Sequence, residues 1–447
     1  MIRSRLNLVR ILVDPRVTRV PRRVLRRLSE QGRPRLPAGI QKSLGRALPG
    51  LKGLAFVRNW LDGEQITRHN GQWVINSFLP PFPGPAFDRM FENLLSGRRL
   101  SPVSAFLAVS DACPYRCWHC SIKNREHGTL EAGQWTHIIG QLHRLGASII
   151  GFTGGEPCSR PDLPALVTAA AAGGAATIVF SSGANVDSAL LQELKAAGLW
   201  SLCVSLDHPS AAEHDRLRGM PGAHAQACRS LRLAREHGFY TMAATVATRA
   251  LLTENLLEPM HRLAGDCGAH EWRIIEPMPC GLLSRDHTDA LLTPAHVEVL
   301  RQFHVGSNRR RLQPKVCAFN RIESPELFGC GAGTQHLFID TRGEVCPCDF
   351  TAMSFGNAAR TPLGQIWSSM SEAMGNPRRH CFIQKHYPLL LRHGGGHFPL
   401  APAQSLAVCA EAGTEPLPDY FQHLLNRQQA GSAEAPPACF GGNYVAR

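Results

Sequence analysis

AFLAVSDACPYRCWHC, residues 105–120, joins a short apolar stretch to three closely spaced cysteines. The first six residues have the composition of a buried strand, and five similar stretches follow at intervals that leave room for helices. The predicted strands are 105–110, 148–153, 177–182, 200–206, 240–246 and 271–277, with helices at 129–145, 161–173, 187–198, 222–238 and 254–266. Repeated βα units form parallel sheets with right-handed crossovers. We therefore predict an α/β fold built on a partial (β/α)6 barrel of the TIM type.

Segments on either side of the barrel differ from it in composition. The predicted domains are a basic amphipathic helical N-terminal extension (1–60), a linker packing on the core (61–103), the barrel (104–285), and a small irregular Cys-rich C-terminal domain with its tail (286–447). In the last domain, HLFID (336–340) and EVCPC (344–348) predict a β-hairpin that turns at Gly343.

Composition and charge narrow the class of protein. The 447 residues are 44% hydrophobic, which is typical of a globular chain. Residues 1–60 hold 15 Lys and Arg against only Asp14 and Glu30, so they account for the whole formal net charge of +13. We find neither a membrane-spanning apolar stretch nor a secretory signal, and we expect a cytoplasmic protein. In a reducing compartment the clustered cysteines predict metal ligands rather than disulfides.

Cys113, Cys117 and Cys120 follow the first predicted strand on one loop. Three thiolates at this spacing can bind three irons of a cubane cluster and leave the fourth iron open for chemistry. The alternative is three unrelated core cysteines. Arg116 and His119 make the loop polar, which argues against a core.

This arrangement resembles the radical S-adenosylmethionine (SAM) superfamily, in which CxxxCxxC follows the first strand of an α/β barrel. The resemblance implies a [4Fe-4S] cluster on Cys113, Cys117 and Cys120, whose open iron chelates SAM. It also implies reductive cleavage of SAM to a 5′-deoxyadenosyl radical, which abstracts hydrogen from a substrate. His119 stands where the family usually has an aromatic residue, and we assign it to the cofactor site.

A second motif, Gly154-Gly155-Glu156-Pro157, ends the second predicted strand and resembles the family's GGEP sequence. The resemblance implies that its backbone and carboxylate hold the amino group of SAM. Later strand ends supply further predicted cofactor contacts, which are Ser182, Ser205 and Asp207. Each of these residues is also common in ordinary turns and helix caps.

Cys330, Gly343 and Cys348 fit the pattern CX(9–15)GX(4)C, which resembles the opening of SPASM and Twitch extensions in the same superfamily. The resemblance implies one auxiliary iron–sulfur cluster, with Cys381 as a third ligand. For the fourth position, Cys317, Cys346, Cys409 and an open site remain alternatives. A structural zinc site is the other interpretation of this Cys- and His-rich region.

The substrate does not follow from the sequence. A small molecule, a lipid or a peptide is expected, together with a reductant such as flavodoxin or ferredoxin. The basic segment 1–60 favours an anionic membrane surface over nucleic acid, since few of its residues are aromatic, and a solvated helical cap is the third alternative. A peripheral location on the cytoplasmic membrane would suit a lipid substrate, but the main prediction leaves the substrate unidentified. The alternatives are a ribosomal-peptide maturase, a non-catalytic iron–sulfur electron-transfer protein and an RNA-modifying enzyme.

Overall fold

A computed structural model describes Pro15, residues 60–61, 63–96, 101–284 and 288–422. The predicted N-terminal extension (1–60) lies outside these residues, apart from Pro15 and Trp60. No helix in the described ranges is both long enough and apolar enough to cross a membrane.

A nine-stranded sheet forms the centre of the fold. The strands of the chain are β1 (Thr67–His69), β2 (Gln72–Val74), β3 (Ser104–Ser110), β4 (Ile149–Gly154), β5 (Ala176–Ser181), β6 (Ser201–Ser205), β7 (Tyr240–Val246), β8 (Glu271–Ile275), β9 (Lys315–Ala318), β10 (His336–Ile339) and β11 (Val345–Cys346). The order in the sheet is β11-β10-β3-β4-β5-β6-β7-β8-β9, with every neighbouring pair parallel except β10 and β11. The six predicted strands are β3 to β8, and the partial α/β barrel is confirmed.

Helices alternate with the strands of the barrel, and others precede or follow it in the chain. They are α1 (Pro85–Ser96), α2 (Ala132–Leu145), α3 (Leu163–Ala172), α4 (Ser188–Ala196), α5 (Ala211–Arg218), α6 (Ala223–Glu236), α7 (Arg249–Thr253), α8 (Leu257–Asp266), α9 (Pro294–Arg310), α10 (Phe319–Ile322), α11 (Leu363–Met374), α12 (Phe382–Gly394) and α13 (Pro402–Ala412). Short 3-10 helices occur at Pro157–Ser159, Gly281–Leu283 and Thr288–Ala290.

Helix α2 shows how local sequence sets these boundaries. The backbone N–H of Glu131 donates to the side chain of Gln134 at 3.0 Å, which satisfies a donor at the start of the helix. The helix ends at Gly146, whose φ of 90° is one that glycine adopts without strain. Between these ends Trp135 and Leu142 are fully buried against the sheet, so the apolar face of the helix supports the barrel.

Three strands from beyond residue 285 extend the sheet past the six that periodicity predicts. β10 pairs in parallel with β3, and β9 pairs in parallel with β8. The predicted hairpin is confirmed, because β10 and β11 pair through Phe338 and Ile339. Since β10 lies beside β3, the segment carrying Cys330 and Cys348 is brought next to the loop of the first cysteines.

The segment that contains β1 and β2 packs against β9, the strand at the opposite edge of the sheet from β11. The buried Lys315 side chain on β9 donates to the carbonyl groups of Val74 and Ile75 at 3.0 and 2.9 Å. A lysine in this position is stable only because its charge and its donors find partners. This anchor holds the segment that follows β2 against the interior of the barrel.

Candidate active site

A cavity of about 440 Å³ lies at the carboxyl ends of β4 to β8. Most of the predicted site residues line it, namely Cys113, Cys117, His119, Cys120, Gly154, Gly155, Ser182, Ser205, Cys330, Cys348 and Cys381. Glu156, Pro157 and Asp207 lie behind the lining. The two cysteine groups therefore face one shared space.

The first cysteine loop rests on the end of helix α5. The N–H groups of Arg116 and Trp118 donate to the carbonyl oxygens of Arg218 and Leu217, at 3.0 and 3.2 Å. The Arg218 guanidinium also donates to the Cys117 sulfur at 3.6 Å. The position and the electrostatics of the loop thus depend on a residue about a hundred positions further along the chain.

Asp207 acts on the loop through Arg218. Its carboxylate is 2.7 Å from Nε of Arg218, and both side chains are buried. The N–H of Val246 donates to the same carboxylate at 3.0 Å. Although burial alone would raise the pKa of Asp207, Arg218 and neighbouring histidines bring it below its ordinary value. Asp207 therefore stays ionised and holds Arg218 against the cysteine loop, whereas its predicted contact with the cofactor stays a prediction.

The three thiols fit a cluster with an open iron. Cys113 is exposed to the cavity mouth, and Cys117 and Cys120 are half-buried. Although part of its surface is exposed, desolvation by the surrounding protein raises the pKa of Cys113 to about 11, so this thiol stays protonated until a metal displaces the proton. Burial also raises the pKa of Cys117, and the buried Arg218 beside it opposes this shift by favouring the thiolate form that iron requires. Burial lowers the pKa of His119 to about 4, which makes it a neutral side chain beside the loop.

Gly154 and Gly155 allow close contact with the cysteine loop. Gly154 has a φ of 121°, and a Cβ on either residue would lie 2.3–2.4 Å from a backbone oxygen, that of Ser110 or of Ala112. The N–H groups of Gly155 and Glu156 donate to these same oxygens at 2.6 and 2.8 Å. The glycine pair therefore fixes the end of β4 against the start of the loop.

The Glu156 carboxylate connects β4 to β5. It accepts hydrogen bonds from the Cys158 N–H at 2.9 Å, from the Ser181 hydroxyl at 2.9 Å, and from both the N–H and the hydroxyl of Ser182. Burial raises its pKa, and these donors oppose the shift. Pro157 is buried at the start of a 3-10 helix. The predicted contact between Glu156 and the amino group of SAM stays a prediction.

Cys330, Cys348 and Cys381 converge on the other side of the cavity. Cys330 and Arg378 exchange backbone hydrogen bonds at 2.7 and 3.2 Å, which brings Cys381 close. A hydrogen bond between the thiols lowers the pKa of Cys330 and raises that of Cys381. The Cys348 thiol donates to Asp349 at 3.3 Å. Three thiols in this arrangement fit an iron–sulfur cluster.

The cysteines considered for the fourth position do not line the cavity, within the described residues. Cys317 lies on β9, Cys346 is buried between Ala108 and Phe338, and Cys409 contacts the sulfur of Met374 at 3.6 Å. Two ligand-type side chains that are not cysteines, those of His336 and Asp349, lie beside Cys348 instead. Ligand atoms of His336, Cys348 and Asp349 all lie within 4.8 Å of one another.

Several residues that line the cavity had no role predicted from the sequence, and Cys280 and Arg273 are two of them. Cys280, which had no assigned role, lines the cavity beside the first cysteine loop, where the N–H of Leu282 donates to the Cys120 carbonyl at 3.0 Å. Arg273 lines it from β8. The signal for Arg273 is present in the sequence EWRII, where charged residues alternate with apolar ones on a strand.

Comparison with known proteins agrees with this geometry. Residues 107–262 match the radical SAM superfamily, and residues 330–388 match the SPASM iron–sulfur cluster-binding domain. An AdoMet-dependent heme synthase of Nitratidesulfovibrio vulgaris is 28% identical, over 60% of this chain and 79% of that enzyme. A PqqA peptide cyclase of Gluconobacter oxydans is 26% identical, over 60% of this chain and 76% of that enzyme.

Among solved structures, Streptococcus suis SuiB bound to precursor peptide SuiA matches with a TM-score of 0.51 at 15% identity, over 63% of this chain and 68% of that chain. At this identity the match shows a shared fold. The sequence matches, the barrel and the two cysteine groups agree that this chain carries a radical SAM domain, which is followed by a SPASM domain.

Proposed function

We propose that this enzyme is a peptide maturase, which removes hydrogen from a residue of a peptide held between the two cysteine groups and oxidises it. The observation that carries the proposal is that both groups line one cavity. When bound, a [4Fe-4S] cluster and SAM supply the 5′-deoxyadenosyl radical that abstracts the hydrogen atom. The second group of thiols faces the same cavity. A cluster held by these thiols would lie close to the substrate and could accept the electron that the substrate loses when it is oxidised.

The relatives and the cavity mouth support a peptide over a lipid. PqqA peptide cyclases are among the matched relatives, and the fold is shared with a protein solved with a precursor peptide. Lys123, Glu126 and His127 are exposed where they line the cavity, so polar groups border its entrance. A polar entrance suits a peptide chain, whereas an acyl chain would favour an apolar one.

Glu276 is well placed to exchange a proton with the substrate. It lines the cavity just beyond β8, is buried, and accepts a hydrogen bond from the Gln384 amide at 2.6 Å. Burial raises its pKa, which makes the carboxylate a better proton acceptor near neutral pH. We propose that Glu276 accepts the proton that the substrate loses when its carbon is oxidised.

A second candidate is a substrate of the heme-synthase type, favoured by the three heme synthases among the relatives. The relatives are enzymes, so the comparisons give no support to a non-catalytic electron-transfer role. A peripheral membrane location through residues 1–60 and reduction by flavodoxin or ferredoxin stay predictions. Binding of the full chain to anionic liposomes at low salt tests the first, and replacement of dithionite by flavodoxin tests the second.

The proposed function is tested with anaerobically reconstituted enzyme, SAM, dithionite and a library of peptides. We expect a peptide product 2 Da lighter than its precursor and 5′-deoxyadenosine in equal amount. The Cys330/Cys348/Cys381→Ala variant is expected to cleave SAM without forming the product. Turnover of a porphyrin in the absence of any peptide product would favour the second candidate instead.

A further inference from the structure

An aromatic floor, defined here as Phe78, Phe106, Phe180 and Arg273, lines the part of the cavity inside the barrel. The rings of Phe106 and Phe180 are 4.8 Å apart between centroids. Gly151 makes room for them, since a Cβ there would lie 2.6–2.9 Å from their ring atoms. Arg273 is the one charged member of this floor.

Arg273 is held in a fixed orientation. Its NH1 donates to the Ser77 hydroxyl at 2.7 Å, and that hydroxyl donates to Glu271 at 2.5 Å. Its Cζ lies 4.7 Å from the centroid of Phe78 and 5.4 Å from that of Phe180. The aromatic rings that contact the guanidinium restrict the orientation of its plane, and this orientation prepares it to bind a planar partner.

Glu271, the acid linked to Arg273 through Ser77, is engaged by other groups. Glu271 accepts hydrogen bonds from Ser77 and from the Tyr240 hydroxyl at 2.9 Å, and it lies 3.8 Å from Lys315. Within the described part of the chain, no carboxylate forms a direct ion pair with Arg273. Its positive charge is therefore compensated only indirectly.

The guanidinium also has an unused donor. Arg273 is 4% exposed, and its Nε has no hydrogen-bond partner among the described residues. An unpaired buried donor on a charged group is costly. Because Arg273 lines the cavity, a bound ligand can supply the hydrogen-bond acceptor that its Nε lacks.

We propose that Arg273 binds a carboxylate of the substrate. Two parallel N–H groups of a guanidinium can donate to the two oxygens of one carboxylate. Because aromatic rings surround this guanidinium, the structure suits a carboxylate that is attached to an apolar group. The inference rests on the proposed function and narrows it, since the peptide would present an acidic side chain or its terminal carboxylate to the aromatic floor.

The test uses 4-phenylbutyrate and its neutral analogue 4-phenylbutyramide, titrated into reconstituted enzyme at saturating SAM. We expect the wild type to bind the acid at least tenfold more tightly than the amide. In Arg273→Gln the acid is expected to bind about 10- to 100-fold more weakly, with a dissociation constant close to that of the amide. Arg273→Lys should retain part of the preference, and the exposed Arg229→Gln should retain all of it.

The ratio of acid to amide affinity is measured within each protein, so partial loss of folded protein cannot imitate the expected change. Equal binding of the two probes by the wild type would overturn the proposal. A preference that survives in Arg273→Gln, or displacement of the acid by SAM, would also overturn it. Arg273-dependent binding of the acid without any peptide turnover would leave this inference standing and reject the proposed function.

Discussion

Replacing Arg218 by Met tests whether the buried ion pair with Asp207 supports the first cysteine loop. The two side chains are only 8% and 1% exposed, so the change leaves a buried carboxylate without its counter-ion. Removing one partner of such a pair costs about 3–5 kcal/mol. The Val246 N–H still donates to Asp207, so we expect the lower end of this range, about 3 kcal/mol.

The matched control is Arg216→Met on the same helix. Arg216 pairs with Glu213, but these side chains are 68% and 36% exposed, and such pairs contribute only about 0.2–1 kcal/mol. The assay is urea unfolding of anaerobically purified protein, followed by tryptophan fluorescence. We also expect the Asp207→Asn/Arg218→Met double variant to be less destabilised than the sum of its single variants.

Two results would refute this reasoning. One is a loss of unfolding free energy in Arg218→Met no larger than that in Arg216→Met. The other is full additivity of the two single changes in the double variant, because additivity would mean that the buried charges do not interact.

Three further predictions follow from the structure. Gly155→Ala should destabilise the protein by about 1–3 kcal/mol in urea unfolding, because the new Cβ would clash with the Ala112 oxygen. Gly133→Ala is the control and should not destabilise it, since a Cβ there meets no other atom. Equal effects of the two changes would contradict the contact. Burial lowers the pKa of His270 to about 3 from an ordinary value of about 6.5, so the folded state resists protonation and loses stability as the pH falls through this window. Between pH 7 and pH 5 the melting temperature of His270→Gln should therefore fall less than that of the wild type. An equal fall would contradict the lowered pKa of His270. Glu276→Gln should reduce peptide product about 100-fold while 5′-deoxyadenosine still forms, and unchanged product would remove Glu276 from the mechanism.

The barrel strands could be predicted because their apolar stretches are long and separated by helical segments. The β10–β11 hairpin was predictable from its turn at Gly343. β9 was not, because its four residues, Lys315–Ala318, begin with a lysine, whose burial depends on carbonyl groups of Val74 and Ile75, the Thr67 hydroxyl and the Glu271 carboxylate.

The cysteine spacing predicted the two groups of thiols, but it did not predict what holds them. Arg218 contacts Cys117 across 101 positions in the chain, and local pattern carries no information at that distance. Glu156 was predicted to contact the cofactor from its motif alone. In the folded chain its oxygens accept hydrogen bonds from Ser181 and Ser182, which the sequence places on another strand.

Iron and sulfide content, measured with EPR spectra after anaerobic reconstitution, tests the central claim most directly. The proteins compared are the wild type and two triple Ala variants, one at Cys113/Cys117/Cys120 and one at Cys330/Cys348/Cys381. We predict about eight irons in the wild type and about four in each variant, with SAM cleavage lost only in the first. Retention of all the iron in either variant, or SAM cleavage without Cys113, Cys117 and Cys120, would contradict the assignment of two clusters.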